Sequence, residues 1–384
     1  MLMQRLAPYL GIVVVILVGA FLIIFSGRVT VLRPSKISTL TASSTLAVVP
    51  GFTLLPISLP NNEPTDVSTN SPKPTGTAPE KEIAPTATQT PASTRAVSPA
   101  APQVPSSGNS ALDASAVALR KALVNVICYA PADSTLRSIS GSGVIIDQRG
   151  SIITDAHVAQ YFLLVDRGVS CVIRMGSPAT YTYRASLMYI SPAWLGANAD
   201  VLSEVSPSGT GQYDFAFLAI TASAASTELP TTFPFVPLAT AAPNIGAPVA
   251  IAAYGAQYLA PSQILSSLFP TVVFDSIRDV FTFALNTIDA FSLGGSAAAQ
   301  EGSSGGGVVD NQGNLIGILT TSTASGDTST RTLDAITTSY IRAEYASETG
   351  HTLDSLLIQS PALVSDTFAS HIPALESIIT AHLP

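Results

Sequence analysis

The chain is short of charged residues, of cysteine and of basic clusters, and each shortage excludes a class of function. Charged side chains make up 11% of its 384 residues, and the formal net charge is -8. An acidic chain without a basic stripe is not expected to bind nucleic acid. Its two cysteines, Cys128 and Cys171, are too few for a disulfide scaffold or a four-cysteine zinc site. We predict no metal ion and no cofactor.

One long apolar run is present near the amino terminus, from Leu6 to Phe25. About 20 residues in a helix cross a bilayer core of about 30 Å. No clear small-x-small cleavage site follows the run, which favours an uncleaved transmembrane anchor over residues 1–28. The alternative is a cleaved signal peptide. The anchor predicts a single-pass membrane protein.

A Pro-, Thr- and Ser-rich stretch follows the apolar run. Residues 37–60 mix Ser and Thr with Leu, Val and Pro and show no clear pattern. From about Asn61 to Asn109 the chain lacks the apolar side chains that would offset the entropy of ordering, and we predict a disordered linker over residues 29–110. Two signals disagree about its side of the membrane. More basic residues follow the apolar run than precede it, which favours a cytoplasmic linker. The composition is instead typical of an extracellular stalk, and on that ground we expect the folded part to lie outside the cytoplasm.

Short apolar runs, broken by Gly, Ser, Pro and Asp, fill residues 111–348. This spacing is typical of an all-β fold, and the length fits two packed barrels better than one sandwich. A helical period precedes the first run, from Ala111 to Leu123. The same period returns at the carboxyl end, where we predict a helical tail over residues 349–384.

The glycine-rich turn Glu301–Val309 presents a serine hydroxyl ahead of an apolar hairpin. Glycines permit positive φ and close approach of a substrate, and neighbouring N–H groups can bind an oxyanion. Ser304 is therefore a candidate nucleophile. A serine hydroxyl reacts poorly unless a base accepts its proton.

His157 is the candidate base, because it is the only one of four histidines in the β-rich region. An imidazole base needs a carboxylate that fixes its tautomer. Asp214, at the start of an apolar strand, is the best candidate, while Asp200 and Asp275 compete on position alone. The alternatives are a structural histidine and a solvated aspartate.

Three motifs in the order His, Asp, Ser resemble those of the trypsin/chymotrypsin-like serine endopeptidases, and are closest to the bacterial HtrA-type branch. They are Thr-Asp-Ala-His at 154–157, Asp-Phe-Ala-Phe-Leu at 214–218 and Gly-Ser-Ser-Gly-Gly at 302–306. The resemblance covers about residues 111–345 and implies two packed antiparallel six-stranded β-barrels. It also implies that His157, Asp214 and Ser304 form a catalytic triad, with an oxyanion hole built from the N–H groups of Gly302 and Ser304.

The sequence departs from the family at two places. Ser303 replaces the aspartate through which zymogen-type members are activated, so activity should not depend on that ion pair. No PDZ-like segment follows the folded part. By analogy, the specificity pocket is formed by Ala298, Thr320, Thr321 and Ser322. Because none is acidic, we expect small or medium apolar residues, not Lys or Arg, before the scissile bond.

Two interpretations of the cysteines stay open: two buried thiols, or a disulfide that brackets His157. The function that we predict is a membrane-anchored serine endopeptidase with protein or peptide substrates. The alternatives are a catalytically inactive protease-fold binding module on a membrane tether, and a stalk protein whose domain caps the tether. The oligomeric state is left open.

Overall fold

The computed structural model describes residues 106–202, 209–283, 287–322, 326–381 and 383. The predicted anchor, 1–28, and nearly all of the predicted linker, 29–110, lie outside these residues. Within the described part of the chain, no helix combines the length and the apolar character needed to cross a membrane.

A helix opens the described fold one residue before the predicted position. Helix α1 spans Ser110–Ala122, and the Asn109 side chain caps it by accepting hydrogen bonds from the N–H groups of Ala111 and Leu112. Such a cap satisfies N–H groups that have no partner inside the helix. The apolar face of α1 is buried and packs on strands of the second sheet, described below. The helix therefore joins the two halves of the fold.

The first half is a closed six-stranded antiparallel barrel, as expected. Its strand order is β1-β2-β3-β6-β5-β4. The strands are β1 (Leu123–Tyr129), β2 (Ile139–Ile145), β3 (Ser151–Thr154), β4 (Ser170–Gly176), β5 (Ala179–Ile190) and β6 (Ala216–Ser223). Helix α2 (Ala156–Ala159) and a 3-10 helix (Gln160–Arg167) follow β3, and α3 (Pro192–Ala197) follows β5.

The second half is an antiparallel sheet of seven strands in the order β8-β7-β11-β12-β13-β10-β9. The strands are β7 (Pro248–Ala253), β8 (Thr271–Ser276), β9 (Asp279–Phe281), β10 (Ala290–Leu293), β11 (Gly307–Val309), β12 (Leu315–Ser322) and β13 (Leu333–Thr337). Helix α4 (Pro261–Ser266) and a 3-10 helix (Thr328–Thr330) lie in its loops.

The expectation of a second closed six-stranded barrel was wrong, and the cause is a break in one strand. The two end strands, β8 and β9, are consecutive in the chain and separated only by Ile277 and Arg278. The Ile277 N–H donates to the Ala247 carbonyl at 3.1 Å, whereas the next N–H, that of Arg278, donates to the Ser292 carbonyl at 2.9 Å. The backbone thus changes its pairing partner within one residue. The sheet curls into a half-barrel whose ends are connected through the chain.

The carboxyl-terminal region is helical, in agreement with the predicted period. It contains α5 (Thr338–Thr349), α6 (Leu353–Leu357), α7 (Pro361–Phe368), a 3-10 helix (Ala369–His371) and α8 (Ile372–Thr380). Helix α7 packs on β5 and β6, and α8 packs on α3 and on the 3-10 helix Gln160–Arg167. The tail therefore covers the outside of the first barrel.

Candidate active site

His157 is positioned by the sharp transition from β3 to α2. The strand ends at Thr154, and Asp155 keeps an extended backbone before α2 begins. The His157 residue is 7% exposed. Just after it, the Gln160 side chain donates to the His157 carbonyl at 2.9 Å. The imidazole therefore lies on a buried turn whose backbone carbonyl is bonded by the Gln160 side chain.

Asp214 contacts His157 through both of its carboxylate oxygens. His157 Nδ1 lies 2.7 Å from Oδ2, and the His157 backbone N–H donates to Oδ1 at 2.9 Å. A carboxylate only accepts hydrogen bonds, so the ring proton lies on Nδ1 and Nε2 is the basic nitrogen. Asp214 is 6% exposed. Of the three aspartates weighed from the sequence, the structure brings Asp214 to the imidazole.

A strained residue supports Asp214 from the preceding position. Tyr213 has φ 59, a left-handed conformation that is uncommon outside glycine. Its N–H donates to the hydroxyl of Tyr340, in α5, at 3.0 Å, and the Asp214 N–H donates to the Gly211 carbonyl at 3.2 Å. Such strain costs about 1–3 kcal/mol and persists only where the surroundings enforce it. Here it turns the chain so that Asp214 faces His157.

Ser304 lies in the turn that enters β11 and is held against the first barrel by Ser142. The Ser142 N–H donates to the Ser304 carbonyl at 2.7 Å, and its hydroxyl donates to the Gly302 carbonyl at 2.8 Å. Gly305 adopts φ 81, and a Cβ there would lie 2.1 Å from the Ser142 carbonyl oxygen. Only glycine fits such a close approach. The turn is thus docked tightly on β2.

The peptide between Glu301 and Gly302 has a fixed orientation. The Ala256 N–H donates to the Glu301 carbonyl at 2.8 Å. Because the C=O and N–H of a trans peptide point in opposite directions, this bond directs the Gly302 N–H away from Ala256. Among the described residues, neither the Gly302 nor the Ser304 N–H donates a hydrogen bond. Both are therefore available to a substrate oxygen.

Asp155, for which the sequence predicts no role, lies beside the same imidazole. Asp155 is 0% exposed, and its Oδ2 lies 3.8 Å from His157 Nδ1. One ligand atom each from Asp155, His157 and Asp214 falls within 4.8 Å of the others, a spacing that could hold a metal ion. The 2.7 Å hydrogen bond to Asp214 already uses two of these atoms. The arrangement is thus an imidazole–carboxylate pair with a second carboxyl next to it.

The structure describes the side chains of two of the four residues predicted to form the specificity pocket, and both are buried. Ala298 is 0% exposed and Thr320 is 2% exposed. Thr320 lies against Gly211, where its Oγ1 would be 2.8 Å from an added Cβ, in the loop that leads to Asp214. Thr321 and Ser322 are in β12, and their side chains lie outside the described part.

Arg331 was missed from the sequence and connects three loops near Ala298. Its Nη1 donates to the Ala299 carbonyl at 2.9 Å and to Gln257 Oε1 at 2.6 Å. Its Nε and Nη2 donate to the Gly326 carbonyl, and Nη2 also donates to the Tyr258 hydroxyl. All five guanidinium N–H groups are therefore used. No local motif marks this role, because three of the four acceptor residues, Gln257, Tyr258 and Ala299, are distant in sequence.

Glu301, directly before Gly302, is a titratable group in the turn that carries Ser304. Burial raises the pKa of its carboxyl to about 7, and the positive charge of Arg331 acts in the opposite direction. The charge of this side chain therefore changes near neutral pH.

Cys128 and Cys171 form a disulfide, with their sulfur atoms 2.05 Å apart. They are directly paired neighbours on β1 and β4. Of the two interpretations open from the sequence, the structure has the bonded form. The bond cross-links the barrel that carries His157.

The chain has a closed barrel, a curled half-barrel and a buried imidazole–carboxylate pair next to a glycine-rich serine turn, an arrangement that supports a serine endopeptidase. Residues 141–318 match the family model described as trypsin-like peptidase domain. No curated protein matches the chain.

Solved structures of the Rv3671c protease from M. tuberculosis are among those similar to this chain. Its active form is 18% identical with a TM-score of 0.39, covering 64% of this chain and 86% of that one. An inactive form is 17% identical with a TM-score of 0.37, covering 62% of this chain and 93% of the other. At such scores these similarities support no inference about substrate or location.

Proposed function

We propose that the chain is a membrane-anchored serine endopeptidase in which His157, Asp214 and Ser304 are the catalytic triad. The observation that carries the proposal is the double contact of Asp214 with His157, at 2.7 Å to Nδ1 and 2.9 Å from the backbone N–H. That contact fixes the tautomer in which Nε2 can accept a proton.

In the proposed reaction, Ser304 Oγ attacks the carbonyl carbon of the scissile peptide and its proton passes to His157 Nε2. The oxyanion accepts hydrogen bonds from the Gly302 and Ser304 N–H groups. His157 then gives the proton to the leaving amine, and an acyl-enzyme remains on Ser304. Water, activated by His157, hydrolyses this ester. One oxyanion donor contributes about 10²–10³-fold to the rate in such enzymes.

The test of the triad is labelling of the full chain with a fluorescent phosphonate, which reacts only with an activated serine. We expect labelling of the wild type, its loss in Ser304→Ala and a strong decrease in His157→Ala. Ser303→Ala is the matched control, because it removes the adjacent hydroxyl, which is buried, and should label normally. Labelling that persists in Ser304→Ala would exclude the proposed nucleophile. A folded wild type that never labels would favour the inactive binding module.

We place the peptidase domain outside the cytoplasm, on an anchor over residues 1–28 and a linker over residues 29–110. The Cys128–Cys171 disulfide supports this placement, because such bonds persist in oxidising compartments. Membrane fractions of the producing cell test it. The full chain should stay in the membrane fraction when the membranes are washed at high pH, whereas a variant without residues 1–28 should appear in the soluble fraction. Protease added to intact cells should digest the folded domain. Protection until the cells are lysed would place the domain in the cytoplasm.

We also propose that the chain belongs to the HtrA-type branch, which the motifs at 154–157, 214–218 and 302–306 support, and that it prefers small or medium apolar residues before the scissile bond. The absence of acidic side chains among Ala298, Thr320, Thr321 and Ser322 supports the preference. Cleavage of a peptide library followed by mass spectrometry measures it. Dominant cleavage after Arg or Lys would refute it.

A further inference from the structure

Asp155 is a buried acid that the proposed reaction does not use. It is 0% exposed, and no hydrogen bond engages either of its oxygens among the described residues. Its side chain does not cap α2. A buried carboxylate without hydrogen bonds is costly, whereas a neutral carboxyl costs far less. The position of this acid beside the imidazole therefore depends on its charge state.

The surroundings of Asp155 favour the uncharged form. In the part of the chain that the structure describes, the titratable groups facing it are His157, from its own turn, and Asp214, from the loop before β6. The nucleophile turn presents the Gly305 N–H, which donates to the Leu319 carbonyl at 2.8 Å. Burial and then the negative charge of Asp214 raise the pKa of the Asp155 carboxyl well above its usual range, and the nearby Gly305 N–H, which is bonded to Leu319, offsets this rise only in part.

A second negative charge at this place would oppose the proposed chemistry. Asp155 Oδ2 lies 3.8 Å from Nδ1, and Asp214 Oδ2 lies 2.7 Å from the same atom. Two carboxylates would together favour the imidazolium form, and an imidazolium cannot accept the Ser304 proton. A single carboxylate still balances the imidazolium that forms during the reaction.

We propose that Asp155 remains an uncharged carboxylic acid, so that Asp214 is, among the described residues, the only negative charge beside the His157 imidazole. The proton that the three groups share thus lies on Asp155 and leaves His157 neutral. This inference rests on the proposed triad, and its spectroscopic test does not depend on activity.

Infrared spectroscopy of the full chain, with isotope-labelled aspartate, tests the protonation state at neutral pH. The isotope label on aspartate distinguishes the infrared band of Asp155 from that of Glu301. We expect a protonated-carboxyl C=O band in the wild type that disappears in Asp155→Asn and persists in Asp166→Asn, a control that makes the same change at an exposed position. Absence of the band in the wild type would overturn the proposal. If Asp155→Asn folds poorly, titration of the wild-type band replaces the comparison.

Kinetics on a peptide substrate provide the second test. Because Asn imitates the neutral acid, Asp155→Asn should keep kcat within about threefold and leave the acid limb of the kcat/KM profile in place. A loss of kcat of about tenfold or more at unchanged KM would show that a negative charge at Asp155 is required, and would overturn the proposal. Failure of the triad itself would instead appear as no labelling of Ser304, with the infrared band unaffected.

Discussion

Ser142 is the contact between the first barrel and the nucleophile turn, and its hydroxyl should be essential to the oxyanion hole. The hydroxyl donates to the Gly302 carbonyl at 2.8 Å and accepts from the Tyr254 N–H at 2.9 Å. Its backbone N–H donates to the Ser304 carbonyl at 2.7 Å. Ser142 is 0% exposed, so water does not compete for these bonds.

The substitution Ser142→Ala removes the hydroxyl and keeps the backbone bond. The Gly302 carbonyl and the Tyr254 N–H would then lack this partner in a buried setting, at about 1–3 kcal/mol for each unsatisfied group. We expect a total loss of roughly 2–6 kcal/mol, divided between the free energy of unfolding and the stability of the turn in its active conformation. Where the turn relaxes, the Gly302 N–H leaves the oxyanion hole, so kcat should fall by about 10–100-fold with KM little changed.

The measurements are kcat and KM on a peptide substrate, together with urea unfolding. Ser140→Ala is the control, because it makes the same change on the same strand, where the hydroxyl accepts from Asn125 Nδ2 at 2.9 Å instead of contacting the turn. A Ser142→Ala enzyme with a kcat within about twofold of the wild type would refute the reasoning, as would equal losses in both variants.

Three further predictions concern other parts of the site. Because the folded-state pKa of Glu301, about 7, is raised above its unfolded value of 4.5, its contribution to stability is present below pH 4.5 and is lost as the pH rises through about 7. Glu301→Gln should therefore be more stable than the wild type at pH 8 but not at pH 4, and thermal melts with equal shifts at both would contradict this. Arg331→Lys, which offers three donors in place of five, should raise KM about 3–10-fold with a smaller change in kcat. An unchanged KM on peptide substrates would show that the loops do not need the hydrogen bonds of Arg331. Cys128 and Cys171 are 43 residues apart in sequence. Replacing both by Ser should lower the free energy of unfolding in urea by about 4 kcal/mol, and a decrease of no more than about 1 kcal/mol would contradict this cross-link.

Much of the fold was predictable because its signals are local. The alternation of short apolar runs indicated the β-architecture, and Asn109 and Asp113 sit where a helix start is stabilised. The pairing of His157 with Asp214 followed from their motifs, and the structure brings the two together. The break at Ile277 could not be predicted, since it depends on which neighbour each N–H finds in the folded sheet.

The roles of Asp155 and Arg331 were also beyond sequence reasoning. In the sequence, Asp155 is one more polar residue in a turn, and only the folded structure shows that it is fully buried beside His157. The acceptors of Arg331 lie up to 74 residues away. Both roles arise from tertiary contacts, which no local pattern encodes.

The helical tail connects to the catalytic machinery through the His157 side of the site. The Arg167 side chain, at the end of the 3-10 helix that follows His157, contacts Glu376 of α8 at 2.6 Å. Glu348 of α5 accepts from the Ser191 hydroxyl at 2.7 Å and also from the Tyr189 hydroxyl, at the end of β5. Exposed ion pairs contribute little alone, but the tail also covers Tyr189 and its neighbouring rings. The segment carrying His157 is therefore supported by the carboxyl-terminal helices, which pack on the first barrel as part of the same folded unit.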